Sequence, residues 1–151
     1  MKLRFFSVAI VVAVLLGIVS PAQSVRAADS SFEIPAADEG LPGSGPIRRY
    51  DWFRKLWKDK RTGWSKRVQQ DQGALVFLGD SITQGWGDDF SHWFPEMKIA
   101  NRGISGDTSR GVLIRLKEDV LSLDPPVVVL LIGTNDLEEK AEPETIALAR
   151  T

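Results

Sequence analysis

The hydrophobic and polar positions after Gly73 alternate in a way that is typical of a parallel α/β sheet. Short apolar runs predict strands at residues 74–78, 97–101 and 127–132, and in the last run six consecutive residues are apolar and mostly β-branched. Aromatic residues between the first two runs predict a short helix over part of residues 86–94. Apolar positions at helical spacing predict a longer helix over residues 108–123. Pro143 and Glu144 then open a further helix.

This order of elements predicts the architecture. Strand, helix, strand, helix, strand and the start of a helix form right-handed crossovers. We therefore predict an open doubly wound parallel sheet with helices on both faces, of which the chain supplies about three strands.

A basic, aromatic segment precedes the first strand. Trp52 and Leu56, like Phe53 and Trp57, lie four residues apart, which predicts an amphipathic helix. Nine basic residues between positions 48 and 67 suggest either a nucleic-acid or anionic surface, or a solvated helix face. Acidic residues interrupt the cluster, so we favour the solvated face and expect no nucleic-acid partner.

The N-terminus has the pattern of a secretory signal peptide, with basic residues before an apolar run at residues 5–19 and small residues before a cleavage site after Ala27. The run of about 15 residues is shorter than the roughly 20 that span a bilayer, so an uncleaved anchor is the weaker alternative. We expect a signal peptide at 1–27, a flexible Gly-, Pro- and Ser-rich linker at 28–47 and the N-terminal portion of a folded domain at 48–151. The protein would then be secreted or periplasmic and would meet the membrane only through its leader.

Charge and cysteine content describe the chain that would remain after cleavage of the leader. The leader contains three basic residues and no acidic ones, so its removal changes the net charge from −1 to −4. There is no cysteine, so disulfides cannot stabilise an exported chain. Its stability must come from an ordinary apolar core.

Three polar, glycine-containing segments directly follow the three predicted strands: GDS at 79–81, GISGD at 103–107 and GTND at 133–136. The carboxyl ends of parallel strands meet at one edge, so these segments should lie together. Asp80, Asp107 and Asp136 could in principle bind Mg²⁺ there. Hydrogen bonds that brace the loops suit Asp80 and Asp107 better, and we expect neither a metal nor another cofactor.

The motifs FLGDSITQGW, NRGISGDTSRGVLIRL and LLIGTNDL resemble the first three sequence blocks of the SGNH, or GDSL, hydrolases, and among them the platelet-activating-factor acetylhydrolase-like esterases. The resemblance implies an SGNH-hydrolase, flavodoxin-like fold and hydrolysis of a small-molecule, carbohydrate or lipid ester with an acetyl or short acyl group. It further implies that Ser81 is the nucleophile, and that Gly106 and Asn135 supply the backbone and side-chain N–H groups of the oxyanion hole. Elementary chemistry agrees, because glycine permits close approach of the backbone and asparagine donates without titrating.

The same resemblance implies a late Asp-x-x-His segment that activates the serine, but no histidine follows Asn135. His92, in the sequence DFSH, imitates that segment. A helix of eleven residues would place it about 16 Å from Ser81, so we expect a structural role for it. Two hypotheses remain. The chain is the N-terminal portion of a larger esterase, inefficient alone and prone to associate through its third strand, or it is a short, non-catalytic ligand-binding protein. The sequence leaves its oligomeric state open.

Overall fold

The computed structural model describes residues 32–90 and 92–139. The predicted signal peptide and the helix predicted to open at Pro143 lie outside these ranges. The elements are α1 (Asp51–Ser65), α2 (Val68–Asp71), β1 (Leu75–Gly79), α3 (Ser81–Gly85), β2 (Ile99–Gly103), α4 (Ser109–Asp119), a 3₁₀ turn (Leu121–Leu123), β3 (Val128–Leu131) and α5 (Thr134–Glu138).

The three strands form one parallel sheet in the order β2-β1-β3. The pairing of β1 with β2 runs from Leu75 opposite Ile99 to Gly79 opposite Gly103. This confirms the predicted open parallel sheet. The second strand lies two residues later than predicted, because its ladder with β1 continues to Gly103.

One face of the sheet packs against α4. Side chains from β1 and β2 join those of α4 and the following turn in a core made of Ala74, Val76, Leu78, Ala100, Val112, Val120 and Leu123. Helix α4 begins after Thr108, whose side chain accepts a hydrogen bond from the Gly111 N–H at 3.1 Å. Thr108 is therefore the N-cap of α4. The helix ends at Asp119, earlier than predicted, and a 3₁₀ turn continues the chain.

Aromatic side chains cover the other face of the sheet. The Phe77 ring stacks on Phe90 with 5.3 Å between centroids and also contacts Trp86 and Phe94. The helix predicted here is wrong, because residues 86–90 and 92–98 contain only turns and extended chain. The Asn101 side chain donates to the carbonyls of Thr83 and Gly87, so a side chain supplies hydrogen bonds that a helix would otherwise make.

Helix α1 confirms the amphipathic pattern. Phe53, Trp57 and Trp64 are buried, whereas Trp52 is 52% exposed. One of its basic residues, Arg61, is buried in an ion pair with Asp119 and does not contribute to the charged surface. No helix within the described ranges is long and apolar enough to span a bilayer.

The segment predicted as a flexible linker packs against this helix from residue 32 onward. It contains no helix or strand, as its composition suggests. However, Ile34 and Ile47 are buried in a second core with Ile104, and the Pro46 carbonyl accepts a hydrogen bond from Thr108 Oγ1 at 2.7 Å. Two isoleucines spaced too far apart to form a pattern thus help to anchor this segment, together with the ion pairs of Asp38 with Arg49 and Arg110.

Candidate active site

The segments that follow the three strands meet at one edge of the sheet, as the topology predicts. The Ile104 N–H donates to the Gly79 carbonyl at 3.0 Å, which joins the ends of β1 and β2. Asn135 Nδ2 donates to the Asp107 carbonyl at 2.8 Å, which joins the segment after β3 to the segment after β2. Ser81, Gly106 and Asn135 therefore belong to segments that hydrogen bonds join at the strand ends.

Ser81 is the first residue of α3 and is exposed to solvent. Asp80 caps this helix through Oδ1, which accepts from the Ile82 N–H at 3.0 Å, and its side chain is buried. The cap fixes the direction in which β1 turns into α3. The serine is therefore held at a helix start beside the strand end.

Two glycines allow the β2–α4 loop to approach its neighbours closely. Gly106 has φ +87°, and a Cβ there would lie 2.7 Å from Trp52 Cη2 and 2.9 Å from Arg48 Nη1. At Gly103 a Cβ would lie 2.3 Å from the backbone nitrogen of Gln84. The end of β2 therefore packs directly against the helix that begins with Ser81.

Gln84 and Asp136 hold the loops from either side. Gln84 Oε1 accepts from the Ser105 N–H at 2.8 Å, which ties α3 to the loop containing Gly106. Asp136 is fully buried and accepts from the backbone N–H of Ser109 at 3.0 Å and from its hydroxyl at 3.2 Å. Helix α5, which contains Asn135, is thereby joined to the start of α4.

Asp107 is the most perturbed carboxylate of the site. Burial raises its pKa to about 6, although the ion pair with Arg115 and the hydrogen bond from the Thr108 N–H act in the opposite direction. The Arg115 Nε donates to Asp107 Oδ2 at 2.8 Å, and neither side chain is exposed. The loop after β2 is thus anchored to a buried charge.

The carboxylates of this edge each serve a different loop. Asp80 caps α3, Asp107 pairs with Arg115, and Asp136 binds Ser109. Within residues 32–90 and 92–139 no three His, Asp or Glu side chains are grouped so that they could hold a metal ion.

His92 is exposed, and its ring contacts Trp93 edge to face with 4.7 Å between centroids. No sequence pattern pointed to Gln84, Asn101 or Arg115. Asp107 precedes α4, which begins at Ser109, so a spacing of eight residues does not by itself bring Asp107 and Arg115 together. The contacts of all three side chains depend on tertiary packing.

The parallel α/β sheet thus brings an exposed serine, a positive-φ glycine and an asparagine side chain to its strand ends. Residues 77–150 match the model of the GDSL-like Lipase/Acylhydrolase family, so this part of the chain is similar to that family.

Individual relatives cover the same region. Human platelet-activating factor acetylhydrolase IB subunit alpha2 is 33% identical over 90 residues, which is 57% of this chain and 39% of that protein. The acetylxylan esterase of Geobacillus stearothermophilus is 41% identical over 46 residues, 29% of this chain and 21% of that protein. The crystal structure of a GDSL-like lipase from Bacteroides thetaiotaomicron is 36% identical and covers 56% of this chain and 41% of that one, with a TM-score of 0.42. The chain thus matches about two fifths of the length of the acetylhydrolase.

Proposed function

We propose that the protein hydrolyses carboxylic esters, with Ser81 as the nucleophile and with the Gly106 N–H and the Asn135 side-chain amide as oxyanion-hole donors. The observation that carries this proposal is the hydrogen bond from Asn135 Nδ2 to the Asp107 carbonyl. It fixes the amide beside the loop that contains Gly106, at the strand edge where Ser81 is exposed. The similarity to the GDSL-like Lipase/Acylhydrolase family supports the reaction class.

The geometry suits the charge that develops during acyl transfer. Attack by a serine hydroxyl on an ester carbonyl forms the Oγ–C bond and moves the carbonyl electron pair onto oxygen, so fixed N–H donors stabilise the transition state. One hydrogen of Asn135 Nδ2 binds the Asp107 carbonyl at 2.8 Å, and the amide lies 3.4 Å from Asp80 Oδ2, a long contact. An oxyanion could replace this weak contact. Loss of one such donor typically lowers kcat by about 10²–10³.

The nucleophile also needs a base, because a neutral serine hydroxyl is a weak nucleophile. The resemblance to SGNH hydrolases implies that a late Asp-x-x-His segment provides it, and the chain matches only part of its relatives' length. We therefore propose the activity for the whole protein and expect residues 1–151 alone to retain slight turnover. General-base assistance typically contributes about 10²–10⁴ in rate.

We propose a short acyl group, acetyl above all, on a carbohydrate or lipid alcohol. Trp52 and Arg48 lie against Gly106 and limit the room beside this donor. The names of two relatives, an acetylhydrolase and an acetylxylan esterase, both refer to acetyl groups. The side chains that would select the alcohol do not follow from this contact.

The test compares hydrolysis of 4-nitrophenyl acetate, butyrate and octanoate by the unchanged protein, Ser81→Ala and the control Ser65→Ala, whose serine is exposed at the end of α1. We expect the acetate to be preferred and only Ser81→Ala to abolish turnover. Mass spectrometry after reaction with a fluorophosphonate should locate the adduct on Ser81. Equal turnover by Ser81→Ala, or an adduct on other serines only, would contradict the proposal.

The pH dependence of fluorophosphonate labelling tests the origin of the base. Without an imidazole the labelling rate should rise continuously with pH, because the unassisted hydroxyl reacts as its small ionised fraction. With an imidazole base the rate should level off above a pKa near 6.5. A plateau in a protein of residues 1–151 that persists in His92→Ala would show that a different group activates the serine.

A further inference from the structure

We propose that Arg115, buried in α4, is a positioning residue that aligns the oxyanion hole with the nucleophile. The inference rests on the proposed function and adds a residue that touches no substrate. It concerns how a side chain in the interior of the domain sets the positions of the Gly106 and Asn135 donors relative to Ser81. Arg115 is 0% exposed, so it acts only through its protein contacts.

The guanidinium of Arg115 binds three different segments. Its Nε donates to Asp107 Oδ2 at 2.8 Å, and its Nη2 donates to the carbonyls of Arg102 at 2.9 Å and Gly79 at 3.3 Å. Gly79 ends β1 two residues before Ser81, and Arg102 is the penultimate residue of β2. One side chain thus joins the strand that presents the nucleophile to the strand and loop that present Gly106.

Asp107 transmits this anchoring to both proposed donors. Its N–H donates to the Ile104 carbonyl at 3.0 Å, which closes a turn whose third residue is Gly106 with φ +87°. A type II turn has this positive φ at its third residue, and closure of the turn fixes the orientation of its peptide groups. The Asp107 carbonyl accepts from Asn135 Nδ2 at 2.8 Å. A change at Asp107 would therefore move both donors.

Core stability alone does not explain an arginine at this position. A buried ion pair is often no more stabilising than apolar side chains of the same volume, because both charges lose their hydration. Arg115 also lies beside the rings of Trp57 and Trp64, where an apolar side chain could pack. What a guanidinium adds is a rigid set of donors that point in different directions, which lysine lacks.

The experiment compares Arg115→Met and Arg115→Lys with the control Arg61→Met. Arg61 is 2% exposed and its Nε pairs with Asp119 at 2.9 Å, so its removal also takes the nearest cation from a buried carboxylate, which keeps only the longer 3.8 Å contact with Arg115 Nη1. Urea denaturation measures the free energy of unfolding, which Arg115→Met and Arg61→Met should both lower. Hydrogen exchange of the Asn135 side-chain amide, followed by NMR, measures the geometry of the hole without requiring catalysis. Hydrolysis of 4-nitrophenyl acetate supplies kcat and KM.

We expect Arg115→Met and Arg61→Met to lose similar stability, but only Arg115→Met to speed exchange of the Asn135 amide and to lower kcat, by about 10²-fold with little change in KM. Arg115→Lys should restore part of kcat, because one hydrogen bond to Asp107 can form. It also serves as the informative variant if Arg115→Met does not fold.

Two results would overturn the inference. One is unchanged Asn135 amide exchange in both Arg115 variants, and the other is an equal loss of kcat in Arg61→Met. Absence of Ser81 labelling and of hydrolysis in the unchanged protein would instead refute the proposed function. In that case the amide exchange alone still decides whether Arg115 positions Asn135.

Discussion

Replacement of Gly106 by alanine should damage both the fold and the site by amounts that the structure allows us to estimate. An L-residue at φ +87° is strained by about 1–3 kcal/mol. The new Cβ would also lie 2.7 Å from Trp52 Cη2 and 2.9 Å from Arg48 Nη1, so these side chains must shift. Trp52 is half exposed and can move, so we expect the free energy of unfolding to fall by about 1–3 kcal/mol rather than more.

Gly63→Ala is the matched control, because Gly63 lies in α1 and a Cβ there meets nothing within 4 Å. Alanine should stabilise this helix by about 0.5–1 kcal/mol. Urea denaturation of both variants should show a lower free energy of unfolding for Gly106→Ala and a higher one for Gly63→Ala. Domains typically unfold with about 5–15 kcal/mol, so Gly106→Ala should remain folded, and a loss of ester hydrolysis of about 10²-fold or more would report on the hole. A Gly106→Ala protein as stable and as active as the unchanged one would refute this reasoning.

Three further outcomes are expected. Burial raises the pKa of folded Asp107 to about 6 from its usual 3.8. As pH rises from about 4 to 6, the free energy of unfolding of the unchanged protein should therefore fall relative to that of Asp107→Asn, by on the order of 3 kcal/mol. Urea denaturation across this pH range measures the difference between the two proteins, and a difference that stays constant with pH would contradict the prediction. Because β3 is exposed, the chain should associate as its concentration rises, which light scattering measures. Leu130→Lys, at a site 53% exposed, should reduce this association. Equal association of both proteins would show that β3 is not the surface through which the chain associates. We also propose export with cleavage after Ala27, so intact-mass analysis should find an N-terminus at Ala28, and Met1 retained on a cytoplasmic protein would count against it.

The strands and the shared loop edge could be predicted because their signals are local. Apolar runs of five and six residues marked β1 and β3, a weaker run that includes Lys98 and Asn101 marked β2, and glycine with polar residues after these runs marked the edge. The topology of parallel strands then required these segments to meet. On that basis the segments that contain Ser81, Gly106 and Asn135 are predicted to lie together, whereas the choice of these three residues rests on the resemblance to SGNH hydrolases.

The remaining features depend on tertiary contacts that leave little local trace. Residues 86–94 have the aromatic content of an amphipathic helix, but Phe77 and Asn101 draw them into turns instead. The composition of residues 32–47 is that of a linker, yet Ile34 and Ile47 anchor the segment to α1. In both cases a few side chains distant in sequence determine the local structure.

The buried pair of Asp107 and Arg115 explains how the same residues serve the fold and the proposed chemistry. Charges placed in an interior cost hydration, so this pair is a poor means of filling a core. The pair instead holds the Asp107 carbonyl and the turn before it in place, because the buried Arg115 side chain binds Asp107 from inside the domain. Exposed residues near Ser81, such as Ile82 and Trp86, do not take part in this anchoring. Changes in such surface residues could therefore alter which ester is accepted while the donors stay in place.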